Sequence, residues 1–220
     1  MGKCSACPRL VQWCKDVAIT KRKAYESEEY WGKPVSGFGP ADASILIVGL
    51  APGAHGANRT GRVFTGDRSG DWLFGSLHRN GLAKLASSTS LHDGQELLGV
   101  RITCAVHCAP PDNKPSTEEK ATCSPWLLKE ISLLLPTLKS FVALGKFAWD
   151  GLIDSLKAMD FQVPTPKPKF GHGSQCEVIG PDGVQRLLIG SYHPSQQNTF
   201  TGKLTEAQLD QVFELASAYK

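Results

Sequence analysis

The chain has 220 residues, of which 41% are hydrophobic and 20% are charged. This ordinary globular mixture excludes intrinsic disorder, and the length suits one well-buried core, so we expect a single domain over residues 1–220. The formal net charge of +3 permits nucleic-acid binding without requiring it, and no apolar run reaches the length of a membrane span.

The first residues, Met1-Gly2-Lys3-Cys4, lack the apolar stretch of a secretory signal, so we expect a cytoplasmic protein. The chain has seven cysteines, an odd number for a disulfide framework. In a reducing cytoplasm, spaced cysteines indicate metal binding or catalysis before disulfides.

Helical patterns and short apolar runs alternate along the chain. In chain order, the patterns predict a helix over 7–23, a strand over 44–50, a helix over 69–84, a strand over 100–106, a helix over 117–135, a strand over 140–144, a helix over 146–159, a strand over 186–192 and a helix over 205–219. Residues 164–173, rich in Pro, Lys and Gly, are predicted to form a loop. This alternation predicts an α/β fold with right-handed crossovers.

Two of the predicted helices begin with residues at capping-box spacing. Ser116 precedes Glu119 by three positions, and Thr205 stands in the same relation to Gln208. In a capping box, each of the two side chains accepts a hydrogen bond from the other residue's backbone N–H.

Polar residues follow three of the four predicted strands. Asp67 lies on the segment after the first strand, Asn113 follows the second, and His193 follows the fourth. Ligands of open α/β sheets bind outside the carboxyl ends of the strands. We therefore expect these side chains to converge on one active site.

Four cysteines form the candidate metal ligands. Cys4 and Cys7 make a CxxC pair, and Cys108 and Cys123 flank a proline-rich turn and the start of a helix. Four thiolates suit tetrahedral zinc or an iron–sulfur cluster. The alternative is that Cys108 and Cys123 are ordinary buried residues.

Three loop motifs together resemble the uracil-DNA glycosylase superfamily, and in particular its type B, or family five, members. The stretch from Gly49 to Asp67 (GLAPGAHGANRTGRVFTGD) is similar to the first motif of type B, and the stretch from His193 to Lys203 (HPSQQNTFTGK) is similar to the last. Cys108 to Pro115 (CAPPDNKP) matches the middle motif. The resemblance runs from Cys4 to the final helix.

This resemblance implies a three-layer α/β/α sandwich around a four-stranded parallel sheet. It also implies a 4Fe-4S cluster on Cys4, Cys7, Cys108 and Cys123. The chain departs from the related type A pattern at Leu50, where type A has Glu, and at Cys104, where type A has Asn. His107 stands where type B relatives usually have Arg.

The resemblance also implies an enzyme that flips uracil out of DNA and cleaves its glycosidic bond. Asp67 would orient water or stabilise the sugar cation, and its alternative role is an N-cap. His193 would donate a hydrogen bond to O2 of the departing base, and its alternative role is a satisfied core histidine. Asn113 would contact the base or position water, and its alternative role is a turn residue.

The predicted pocket comprises Phe64 stacked on the base, with Ala51, Gly53 and His55 at its floor. The alternatives are that Phe64 is a core residue and that His55 is a surface loop residue. The loop 195–203 would fill the gap left by the flipped base, with candidates Gln196, Gln197 and Phe200. Four cations could contact DNA phosphates: Arg59, Arg62, Arg68 and Lys203.

We therefore predict a monofunctional, monomeric glycosylase that acts on uracil-containing DNA and leaves an abasic site. Hypoxanthine and other deaminated bases are further candidate substrates. One alternative is a damaged-DNA-binding protein of the same fold without turnover. Another is a zinc-stabilised small-molecule hydrolase using Asp67 and His193.

Overall fold

A central sheet of five strands organises the computed structural model, which describes all 220 residues. The strands are β1 (Ile45–Gly49), β2 (Val100–Cys104), β3 (Ser140–Leu144), β4 (Gln175–Ile179) and β5 (Gln185–Ser191), in the order β2-β1-β3-β5-β4. The four strands β2, β1, β3 and β5 are parallel, as their apolar sequences predict.

The sheet has five strands rather than the expected four, because β4 pairs antiparallel with β5 at the edge. This strand is mostly exposed or half-buried, and Val178 is its one buried residue. It therefore lacks the continuous apolar run that marks the four buried strands. A tight turn through Gly183, whose φ is +75°, joins β4 to β5.

Five long helices confirm the predicted helical segments to within a few residues: α1 (Pro8–Thr20), α3 (Arg68–Arg79), α4 (Thr117–Leu134), α5 (Lys146–Ala158) and α7 (Glu206–Ala218). The short helices α2 (Ala57–Thr60) and α6 (Gln196–Phe200) were not predicted, because each is too short to show a periodic pattern. None of the helices combines the length and the hydropathy needed to cross a membrane.

Both predicted capping boxes are confirmed. At α4, Glu119 N donates to Ser116 Oγ at 3.0 Å, and Ser116 N donates to the Glu119 carboxylate at 2.8 Å. Thr205 and Gln208 make the same reciprocal pair at α7. Each cap stabilises its helix by about 1 kcal/mol.

Helices cover both faces of the sheet, which confirms the three layers. In β1, Ile45 and Ile47 pack in the apolar core that contains residues of α3 and α7. The alternate residues Leu46 and Val48 pack in the core formed with α4 and α5. Successive side chains of a strand point to opposite faces, so one apolar run supplies both cores.

Candidate active site

A cleft of about 740 Å³ opens at the carboxyl ends of the parallel strands. It brings together all of the predicted catalytic and substrate-binding residues: Ala51, Gly53, His55, Phe64, Asp67, Asn113, His193 and Gln197. The prediction that the strand ends converge is thus confirmed.

The two carboxylate oxygens of Asp67 have different surroundings. Asp67 is the N-cap of α3, where Oδ1 accepts a hydrogen bond from Gly70 N at 3.1 Å. Oδ2 lies over two glycines, because a Cβ atom added to Gly56 or Gly53 would lie 2.2 or 3.1 Å from it. Burial raises the pKa of Asp67, against hydrogen bonds from the amides of Gly70 and Ser69.

His193 forms a wall of the cleft and stacks on Phe64, with ring centroids 5.7 Å apart and planes 29° apart. Its backbone carbonyl accepts a hydrogen bond from Asn198 Nδ2 at 2.8 Å, which ties it to α6. Burial lowers the pKa of His193 to about 4. The imidazole is therefore neutral at neutral pH and can donate one N–H without carrying a charge.

Phe64 belongs to both the core and the cleft: it is 8% exposed and sits in the core beside α3. Its φ of 52° is left-handed, which is unusual for a bulky residue. Two glycines make room for this conformation. A Cβ atom on Gly70 would lie 1.9 Å from Phe64 O, and one on Gly49 would lie 2.6 Å from the Phe64 ring.

His55 lines the cleft and forms a hydrogen bond with Tyr30, which does not line it. Its Nδ1 lies 3.0 Å from Oη of Tyr30. Burial lowers the pKa of His55, and the charges of Arg22 and Arg59 lower it further.

Asn113 and Gln197 lie at the exposed rim of the cleft. Asn113 is also a turn residue, with φ of 55° after Asp112 with φ of 53°. Both residues are in a short 3₁₀ turn, Pro111–Asn113, where Asn and Asp tolerate left-handed backbone best. Gln197 lies on α6.

Two of the four cations proposed to contact phosphates have other partners, so that expectation is wrong for them. The Arg62 side chain is 6% exposed and pairs with Asp93 at 2.6 Å. Arg59 pairs with Glu28 and donates to the backbone carbonyls of His55 and Gly66. Arg68 and Lys203 are exposed, as the prediction requires.

Sequence reasoning missed the segment between α1 and β1, which contributes Arg22 and Tyr25 to the cleft. It also missed Gly56, which makes room for Asp67, and Asp112 at the rim. Gly56 could have been predicted from the sequence, because it lies inside the first motif. Nothing in the spacing of Arg22 and Tyr25 relates them to the strand ends.

The four predicted metal-ligating cysteines line one pocket of their own, together with apolar residues of α1, α4 and the loop after β2. Backbone N–H of His107 points at Cys123 Sγ, 3.4 Å away. Burial, together with the nearby Cys7 and Cys4, raises the pKa of Cys123 to about 11. Cys108 and Cys123 are buried and Cys4 and Cys7 are half-buried, so the four thiols could become thiolates together only around a bound cationic centre.

Four thiols are the donor set of an iron–sulfur cluster or of a zinc site. As placed, these side chains form no group of three that could hold a single metal ion.

The cysteine pocket and the cleft share a wall. Ala51 and Ala54, which line the cleft, pack against the apolar cluster that contains Cys108 and Cys123.

Comparison with known proteins agrees with this geometry. Residues 36–216 match the model of the uracil DNA glycosylase superfamily. The chain is 50% identical to a type-5 uracil-DNA glycosylase of Mycobacterium bovis over 97% of this chain and 76% of the relative. The corresponding proteins of Mycobacterium leprae and Thermus thermophilus are 50% and 45% identical, over 96% and 92% of this chain and 88% and 87% of theirs. The chain therefore belongs to the uracil DNA glycosylase superfamily, in its type-5 branch.

Proposed function

We propose that this protein excises uracil from DNA in base excision repair. The observation that carries the proposal is the cleft in which Asp67 and His193 meet beside Phe64, in a chain of the type-5 branch. A base inside a duplex cannot reach such a cleft, so the nucleotide must be flipped out of the stack.

Cleavage of the glycosidic bond creates positive charge on the sugar and negative charge on the base. The Asp67 carboxylate stabilises the sugar cation or orients the attacking water, and the neutral His193 ring donates a hydrogen bond to the departing base. Asn113, at the rim, has a free amide to position water or the base edge. Both Asp67 and His193 act on charge that appears only as the bond breaks, so they accelerate the reaction rather than tighten binding.

Incubation of the purified protein with labelled duplexes tests the proposal. The duplexes carry uracil, hypoxanthine or only normal bases, and alkali then cleaves each abasic site. Strand cleavage confined to uracil and other deaminated bases is the expected result. Tight binding without any excision would instead favour the damaged-DNA-binding alternative.

The substrate range that we propose extends to hypoxanthine. The floor of the cleft is built from Ala51 and Gly53 rather than bulky side chains, and the cleft volume of about 740 Å³ leaves room for a purine. Protein that excised uracil and left hypoxanthine intact at equal enzyme excess would limit the range to pyrimidines.

We further propose that the product is an abasic site in an intact strand. Strand-cutting lyases use an amine nucleophile near the sugar. Neither Lys114 nor Lys203, the lysines of the loop motifs, is among the residues that line the cleft. No strand break should form before alkali or heat, and borohydride should trap no protein on DNA. A borohydride-trapped complex would contradict the prediction.

We propose that Cys4, Cys7, Cys108 and Cys123 hold a 4Fe-4S cluster with a structural role. When bound, such a cluster cross-links the N-terminus to the loop after β2. Serine at Cys123 should lower the iron and sulfide content and the folded yield, because it removes one thiolate of four.

Serine at Cys176, a half-buried thiol on the edge strand β4, is the matched control and should keep the full iron content. Metal analysis after anaerobic, iron-replete expression measures both variants. Stoichiometric zinc in the wild-type protein would defeat the cluster assignment.

We also propose that the protein acts as a monomer in the cytoplasm. No disulfide links any of the seven cysteines, which suits a reducing compartment. Size-exclusion chromatography with light scattering tests the oligomeric state.

A further inference from the structure

Tyr30 is a buried residue whose one polar contact is with His55, a residue that lines the cleft. Its side chain is 8% exposed, and its hydroxyl makes a single hydrogen bond, with His55 Nδ1 at 3.0 Å. The two rings meet edge to face, 6.0 Å between centroids at 81°. Tyr30 precedes the residues matched by the superfamily model, 36–216.

The hydrogen bond determines which nitrogen of His55 carries the hydrogen. A buried phenol needs an acceptor for its O–H, and Nδ1 of His55 is the one acceptor in contact with it. We therefore assign the Tyr30 Oη–H as the donor and Nδ1 as the unprotonated acceptor. In a neutral ring the hydrogen then resides on Nε2.

The second nitrogen of His55 is available to a ligand. Nε2 makes no hydrogen bond within the protein and is not among the buried atoms that lack a partner. It lies on the ring edge away from Nδ1 and Tyr30, and His55 lines the cleft. Burial and the charges of Arg22 and Arg59 lower the pKa of His55, which favours the neutral ring.

We propose that Tyr30 is a positioning residue that locks His55 as an N–H donor, so that the cleft selects bases carrying a carbonyl oxygen where the undamaged base has an amino group. This inference rests on the proposed function. Deamination replaces an amino donor with a carbonyl acceptor. His55 Nε2–H binds the carbonyl and faces the amino group donor to donor, which leaves both unsatisfied.

The tautomer is measured on the free protein, without DNA. Nitrogen-15 chemical shifts of the His55 ring should show a protonated Nε2 and an unprotonated Nδ1 in the wild type. In Tyr30→Phe, which keeps the ring packing, the two tautomers should exchange. Tyr219→Phe, which removes the hydroxyl bonded to Glu177 on the edge strand, is the matched control and should leave the His55 shifts unchanged.

Selectivity is measured with duplexes that carry 2′-fluoro deoxyuridine or 2′-fluoro deoxycytidine opposite thymine. The fluorine prevents bond cleavage, and both bases are mismatched. Tyr30→Phe should lower the ratio of uracil affinity to cytosine affinity by about tenfold. In a His55→Ala background, the same Tyr30 substitution should have no further effect on the ratio.

A protonated Nδ1 in the wild type would overturn the proposal, as would a Tyr30→Phe effect that persists without His55. Both outcomes are distinct from failure of the proposed function, which would appear as absence of uracil excision by the wild type. The unfolding midpoint of each variant identifies any effect that arises from lost stability.

Discussion

Asparagine at Asp67 should slow single-turnover excision of uracil by about 100-fold or more, the range for losing one preorganised electrostatic contact. The substitution separates the two roles of Asp67, as the N-cap of α3 and as a negative charge in the cleft. Asparagine caps helices as well as aspartate does, so the bond from Gly70 N to the side chain is kept. The negative charge beside the sugar is removed.

The fold should tolerate this change. Burial raises the pKa of Asp67, so the folded state disfavours its ionised form. A carboxyl whose pKa is raised contributes most to stability when protonated, and that contribution is lost as pH rises through the raised pKa. At neutral pH we therefore expect the unfolding midpoint of Asp67→Asn to equal or exceed that of the wild type.

The pH profile gives a second measurement of the same group. Wild-type single-turnover rates should fall as pH drops through the raised pKa of Asp67, because protonation removes the charge. Asp42→Asn is the matched control: Asp42 is exposed to solvent in the loop before β1 and does not line the cleft. Near-wild-type rates for Asp67→Asn would leave Asp67 as a helix cap, with water positioned by Asn113 or the backbone.

Alanine at His193 should also slow uracil excision by about 100-fold or more. The imidazole donates to the base as negative charge develops, and it supports the Phe64 ring. Affinity for DNA that carries the abasic product should change little, because the contact strengthens only in the transition state. Single-turnover rates and product binding, measured on the same variant, separate the two effects.

The size of the His193→Ala effect should depend on the leaving group. The uracil anion is already fairly stable, whereas a poorer leaving group needs more help from a donor. The penalty of His193→Ala should therefore grow on hypoxanthine. His92→Ala, at an exposed histidine in the loop between α3 and β2, is the matched control. Unchanged rates for His193→Ala would show that the imidazole lines the cleft without taking part in catalysis.

The pKa of His193 has a consequence for stability as well. Its lowering to about 4 means that the folded state resists protonation of the ring. Stability is therefore lost as pH falls from the ordinary histidine range, near 6.5, towards 4. His193→Ala should remove this part of the acid sensitivity, measured as the unfolding midpoint against pH.

Tertiary contacts explain where the sequence-based predictions of the site failed. Arg62 stands in a glycine-rich motif beside the cleft, and its charge indicated a phosphate contact. It is buried because Asp93, Ser88 and the carbonyl of Leu91 converge on its guanidinium. No local pattern relates these partners, which come from the loop between α3 and β2.

The sequence by itself determined the parallel strands, the long helices and the cleft at the strand ends. These features depend on local periodicity, and the strands' common direction then forces Asp67 and His193 to one edge. Only the tertiary structure decided the edge strand β4 and the contact of Tyr30 with His55. Both depend on how distant segments pack: β4 is too exposed to need an apolar run, and a hydrogen bond between loops leaves no periodic signal.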